Sequence, residues 1–150
     1  MQIAIESTPI VNTKTATFSR NMPRTGHAVS ALPVLFLLVD AVMKLFKPDV
    51  VVAATTELGY QERVIVPLGI VLLTATVLYI IPRTAILGAV LLTGYLGGAV
   101  ATHVRVDGGA FPILFPVIVG GLLWLGLYLR DSRVRAFIRT ATVEDLTSRR

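Results

Sequence analysis

Four long apolar runs, at 26–46, 64–81, 85–104 and 111–129, are separated by short polar interruptions. None of them alternates. A half-buried strand carries polar residues at every second position, and a barrel strand in a membrane does the same, so continuous runs predict helices. Their length decides which kind. A hydrocarbon layer about 30 Å thick is crossed by about 20 residues, each rising about 1.5 Å, and the runs contain 21, 18, 20 and 19 residues. A soluble bundle is the competing architecture, but four full-length apolar segments in 150 residues leave too little polar surface to cover them. The pattern predicts an all-α membrane protein with four transmembrane helices in an antiparallel bundle.

The interruptions refine this picture. Residues 48–58 open with Pro48-Asp49, suited to a helix start, and end at Gly59, a helix stop; they predict a short helix at the outer interface. Only Pro82, Arg83 and Thr84 separate the second and third spans, which predicts a tight helical hairpin. Phe111-Pro112 and Phe115-Pro116 begin the fourth span, where a missing N–H costs little near a helix start. After it, Val134, Phe137, Ile138 and Ala141 recur at helical spacing, opposite Arg133, Arg135 and Arg139, which predicts a basic amphipathic helix lying on the inner leaflet. The chain thus divides into a polar tail at 1–24, a four-span domain at 25–130 and a basic tail at 131–150.

Composition agrees, and charge adds a direction. Apolar residues make up 54%, mean hydropathy is +0.74 and charged residues are 15%, against roughly a quarter in soluble domains. Lys14, Arg20, Arg24, Arg83, Arg130, Arg133, Arg135, Arg139, Arg149 and Arg150 fall on one side of the spans, and only Lys47, Arg63 and Arg105 on the other. The positive-inside rule then places both termini in the cytoplasm. Residues 1–24 lack the apolar core of a cleaved signal peptide, so the first span serves as its own insertion signal. The net charge of +5 needs no nucleic acid, because topology and anionic membrane lipids account for it.

Missing residue types remove whole chemistries. The chain has no Cys, so it offers no thiolate, disulfide or iron–sulfur ligation of its own. His27 and His103 lie at opposite ends of the membrane, about a bilayer apart, and one chain cannot present both to a haem. Phosphate-loop, HExxH and GxSxG patterns are absent, and no metal site is predicted.

Two features carry the candidate site. In the third span Ala85, Ala89, Thr93, Gly97 and Ala101 recur every four residues beside a second column of Gly94, Gly98 and Thr102. Small-xxx-small columns let helices approach closely in lipid. Ala89, Gly94, Gly97, Gly98 and Ala101 are therefore expected to pack the chain's own bundle, with Gly120 and Gly121 as a matching groove and a homodimer seam as the alternative. The first span carries Asp40 and Lys44 at i, i+4, an ion pair or a functional carboxylate at membrane depth. Alternating topology gathers Asp40, Lys44, Tyr95, Thr102, His103 and Arg105 in the outer half, near Tyr60, Glu62, Arg63 and Asp107, and predicts a polar pocket beneath the 48–58 helix. The inner half reads as apolar, so no ion path is written along the spans.

The segments Leu78-Tyr79-Ile80-Ile81-Pro82-Arg83-Thr84-Ala85, Leu91 to Arg105, and Leu125 to Asp131, together with Met43-Lys44-Leu45, resemble the DoxX-like family of small bacterial membrane proteins. The resemblance runs from about Leu32 to Arg135. It implies a four-helix membrane fold and work near quinone or oxidative stress, as an accessory or quinone-proximal subunit of a redox or detoxification system that pairs with a soluble redox enzyme. Without cysteines, sulfur chemistry would fall to that partner. A dimeric proton-coupled transporter using Asp40 and a membrane enzyme using His103 and Asp40 as acid and base are the alternatives. On the quinone expectation, a ring carbonyl lies near His103, oriented by Tyr95 and Thr102, with its tail between the first and third spans.

Overall fold

The computed structural model describes residues 18–136, with side chains from Thr25 onward. Among them are five α-helices: α1 (Phe18–Phe46), α2 (Asp49–Glu57), α3 (Ile65–Ile80), α4 (Ala85–Arg105) and α5 (Ala110–Arg130), with a short 3₁₀ turn at Glu62–Val64 leading into α3. Residues 132–136 are helical as well, whereas the rest of the expected amphipathic helix, with Phe137, Ile138, Arg139 and Ala141, lies outside the described residues. Four segments are long and apolar enough to cross a membrane: Thr25–Phe46, Glu62–Ile80, Ala85–Arg105 and Ala110–Arg130. Their outward surface is apolar too, with Leu32 72% and Phe111 75% exposed. In water such a surface would drive aggregation; in lipid it is the solvated face.

The long helices form a ring in which α1 packs on α3 and α5, and α4 packs on the same two. The diagonal pairs meet little or not at all. Leu37, Ala41, Leu72, Leu92, Leu96, Leu123 and Leu127 fill the centre. Lipid gives apolar side chains no reason to leave it, so close backbone approach must hold the ring together. A methyl group on Gly88 would lie 2.2 Å from Tyr79 N and 2.5 Å from Tyr79 Cα, so α4 rides directly on the backbone of α3. Between α1 and α5 the same is true of Gly26, opposite Arg130 N at 2.8 Å, while Gly126 faces the Ser30 side chain, with Oγ at 2.0 Å, and Gly26 O at 3.0 Å. Phe36 stacks edge-on against Phe115 with centroids 5.0 Å apart further along the same pair.

These contacts are not at the glycines singled out by spacing. A Cβ built on Gly94, Gly97 or Gly98 meets nothing within 4 Å, and Ala101 is exposed. Of that set only Ala89 is buried in the core. The expectation that Gly94, Gly97, Gly98 and Ala101 receive a neighbouring helix of the same chain therefore needs correction. Gly94 and Gly98, with Thr102, instead border a cavity, and Gly97 and Ala101 face outward. Spacing identifies a small face but not what stands opposite it. Thr93, just before Gly94, accepts a hydrogen bond from Trp124 Nε1 of α5 at 2.8 Å.

Prolines also sit where a helical N–H is normally used. Pro116 lies inside α5, beyond the first turn that suits Pro112, and gives no N–H to the carbonyl four residues back. Pro33 does the same within α1. The end of the bundle where α1 enters and α5 leaves is more polar than its sequence suggested. Tyr79 is fully buried there; its hydroxyl donates to Leu123 O at 2.7 Å and so accepts from Ser30 Oγ at 2.9 Å. Arg130 lies over the Tyr79 ring at 4.4 Å and donates to Tyr79 O at 2.7 Å. Buried polar groups need partners in lipid even more than in water, and this node gives each of them one while tying α1, α3 and α5.

Candidate functional site

A cavity of about 780 Å³ opens at the opposite end of the bundle, under α2. All four long helices line it. Phe36, Leu37, Leu68, Leu96, Phe115 and Pro116 form the apolar part, while Asp40, Lys44, Tyr60, Tyr95, Thr102 and His103 supply polar groups. The space exists because α1 and α4 meet little or not at all across the ring, and because Gly94 and Gly98 put no side chain into it. Its volume falls within the roughly 300–1,000 Å³ of small-molecule sites, which are mostly apolar with a few converging polar groups.

The roof is α2, contributing Val50, Val51, Ala54, Thr55 and Glu57, with Leu58 at its end. Left-handed residues bracket it, Lys47 at φ 51° before and Gly59 at φ 81° after. Glycine adopts that backbone without strain, whereas a residue with a Cβ gives up about 1–2 kcal/mol; at Lys47 the turn is held by an ion pair with Glu62. Arg105 fastens the other end by donating to Leu58 O at 2.6 Å. Arg105 is thus a clamp for the roof and does not line the cavity, unlike the other five residues expected at the site.

On the α1 wall, Lys44 donates to Asp40 one helical turn earlier. Both side chains are partly exposed to the cavity, at 15% and 31%. The Lys44 stem is pinned against α3, where a methyl on Gly69 would come within 2.9 Å of Lys44 Cβ. On the α4 wall, Thr102 Oγ1 donates to Gly98 O at 2.9 Å, one turn back, and sits 2.7 Å from the Tyr60 hydroxyl. His103 borders the cavity where the helix ends, its carbonyl receiving the Gly108 N–H at 2.9 Å. Among the described residues no group of three or more His, Asp or Glu side chains could hold a metal ion.

Sequence reasoning placed Tyr60 merely nearby and missed Phe36 and Phe115 altogether. Tyr60 follows the Gly59 stop that ends α2, so the turn that closes the roof also swings the tyrosine onto α4. The phenyl pair had no sequence signal, since it joins residues 79 positions apart on helices that spacing alone cannot align.

The same helices that build this cavity carry the similarity to known proteins. A family model, the DoxX-like family, matches residues 28–126. The chain belongs to the DoxX-like family. The match takes in α1 from Ala28 onward, all of α2, α3 and α4, and α5 up to Gly126, and so includes every cavity-lining residue. No curated protein and no solved structure matches the chain. Family membership and the four apolar helices make this a multi-pass membrane protein.

Proposed function

We propose that this DoxX-like protein holds a lipophilic molecule of the quinone class in the cavity under α2, and serves as an accessory, quinone-proximal component of a membrane redox or detoxification system. One observation carries this reading: a cavity of about 780 Å³ that is apolar between Phe36 and Phe115 and polar around Asp40, Lys44, Tyr60, Tyr95 and His103. A ring with polar substituents and an apolar tail has that same division. The chain contains no Cys, so electrons pass through the bound molecule and a partner protein, and not through a thiol of this chain.

In this reading the bundle is antiparallel, with both termini in the cytoplasm and α2 on the outer face of the bacterial inner membrane. Support comes from contacts whose numbering runs in opposite senses, Gly26 with Arg130 and Phe36 with Phe115, and from the excess of basic residues at the end away from α2. Asp40 is already neutralised by Lys44. That pairing favours a fixed wall of the site over the proton-coupled transporter.

Extraction of the full chain from its native membrane in mild detergent, followed by mass spectrometry of bound small molecules, tests the proposal. A quinone or related lipophile should accompany the parent protein in near-stoichiometric amount and fall several-fold in His103→Ala. Recovery of bulk phospholipid alone, in equal amount from both proteins, would overturn it.

A further inference from the structure

The hydrogen-bond directions around Tyr60 restrict what can bind beside it. A hydroxyl has one proton to give and two lone pairs to receive. Thr102 spends its proton on Gly98 O at 2.9 Å, within its own helix. At 2.7 Å from Thr102 Oγ1, the Tyr60 hydroxyl must therefore be the donor of that pair, and its own proton is spent as well. What Tyr60 still presents to the cavity is lone pairs. We infer that the cavity selects, at Tyr60, a ligand whose polar end donates a hydrogen bond: the hydroxyl of a phenol, a hydroquinone or a similar lipophile, in preference to a carbonyl or ether at that position.

This rests on the reading of the cavity as a lipophile site and adds the chemistry of the head that fits it. It also changes the expectation that Thr102 orients a ligand carbonyl, since Thr102 has no proton left to offer. Donors do line the cavity elsewhere: the Lys44 ammonium keeps two protons beyond the one directed at Asp40. Selection for a hydroxyl is thus local to Tyr60, and a hydroquinone satisfies both places, its hydroxyl donating to Tyr60 and an oxygen accepting from Lys44. For a carbonyl to bind at Tyr60, the tyrosine must turn its proton away from Thr102. That loses one hydrogen bond within the protein, a difference of about threefold to tenfold in affinity.

The test uses two probes of matched shape, 4-nonylphenol and its methyl ether, binding to the full chain in nanodiscs, together with Tyr60→Phe and Thr102→Val. The phenol should bind the parent about threefold to tenfold more tightly than the ether. Tyr60→Phe, which removes the lone pairs, should bring the phenol down to the level of the ether. Thr102→Val removes the acceptor of the tyrosine proton, so Tyr60 can then donate, and the gap should close by the ether gaining affinity. Equal affinity of phenol and ether for the parent overturns the inference and leaves the lipophile site standing. Failure of both probes to bind removes the site, and the inference with it.

Discussion

Gly88→Ala is the smallest change that should break this bundle. The added methyl would sit 2.2 Å from Tyr79 N, 2.5 Å from Tyr79 Cα and 2.7 Å from Leu78 C. Ordinary contact begins near 3.4 Å, so α4 would have to retreat from α3 by about 1.2 Å. No side chain can turn aside to absorb this, because all three opposing atoms are backbone. The retreat would also open the packing of Ala85, Ala89 and Leu92, each no more than 2% exposed, and pull on Tyr79, whose hydroxyl is fixed by Ser30 and Leu123 O. Overpacking costs typically about 1–3 kcal/mol; with a rigid opponent we expect about 3 kcal/mol or more. Gly97→Ala on the same helix adds its methyl to open space, and should range from neutral to about 1 kcal/mol stabilising through helix propensity. Equilibrium unfolding of both variants in mixed micelles of mild detergent and sodium dodecyl sulfate, followed by Trp124 fluorescence and circular dichroism, gives the comparison. Gly88→Ala with the parent's midpoint, or Gly97→Ala as damaging as Gly88→Ala, would refute the packing account.

Two further outcomes follow from the same geometry. Reporter fusions after Arg83 and after Arg139 should both read as cytoplasmic and an insertion near Gly108 as external, because the basic residues concentrate at the end away from α2; a C-terminal reporter on the outside would invert the assignment. Asp40→Asn and Lys44→Met should each destabilise by about 1–2 kcal/mol, less than a fully buried pair because both groups face the cavity, and the double variant should recover part of that loss. Additive losses in the double-mutant cycle would show that the two charges do not depend on each other.

How much of this was legible in the sequence differs from residue to residue. Helices over the four apolar runs follow from continuous hydrophobicity and length, because lipid forces each span to satisfy its own backbone. The meeting of Asp40, Lys44, Tyr95, Thr102 and His103 at one cavity follows from alternating direction plus distance along each helix, and the structure brings these five to one place. Partner assignment within the bundle is different. Helices close on Gly88, Gly26 and Gly126, whereas Gly94, Gly97 and Gly98 face space, and small size alone cannot separate the two sets. Rotation of each helix about its axis decides, and rotation is set by contacts such as Tyr79 with Ser30 and Phe36 with Phe115 that join distant parts of the chain. For the same reason Arg105 read as a site residue when it clamps the roof at Leu58.

Gly98 borders the cavity and Gly97, its immediate neighbour, does not, while a Cβ built on either meets nothing within 4 Å. Leucine at Gly98 therefore projects into the site and leucine at Gly97 toward lipid, and at neither position does the first added carbon meet a neighbouring helix. Native mass spectrometry of the parent, Gly98→Leu and Gly97→Leu, each loaded with the same lipophilic probe, compares occupancy directly. The cavity account predicts that Gly98→Leu loses the bound molecule by tenfold or more, roughly the effect of removing 1.4 kcal/mol of binding, while Gly97→Leu retains the parent's occupancy. Equal occupancy in the two leucine variants would contradict it.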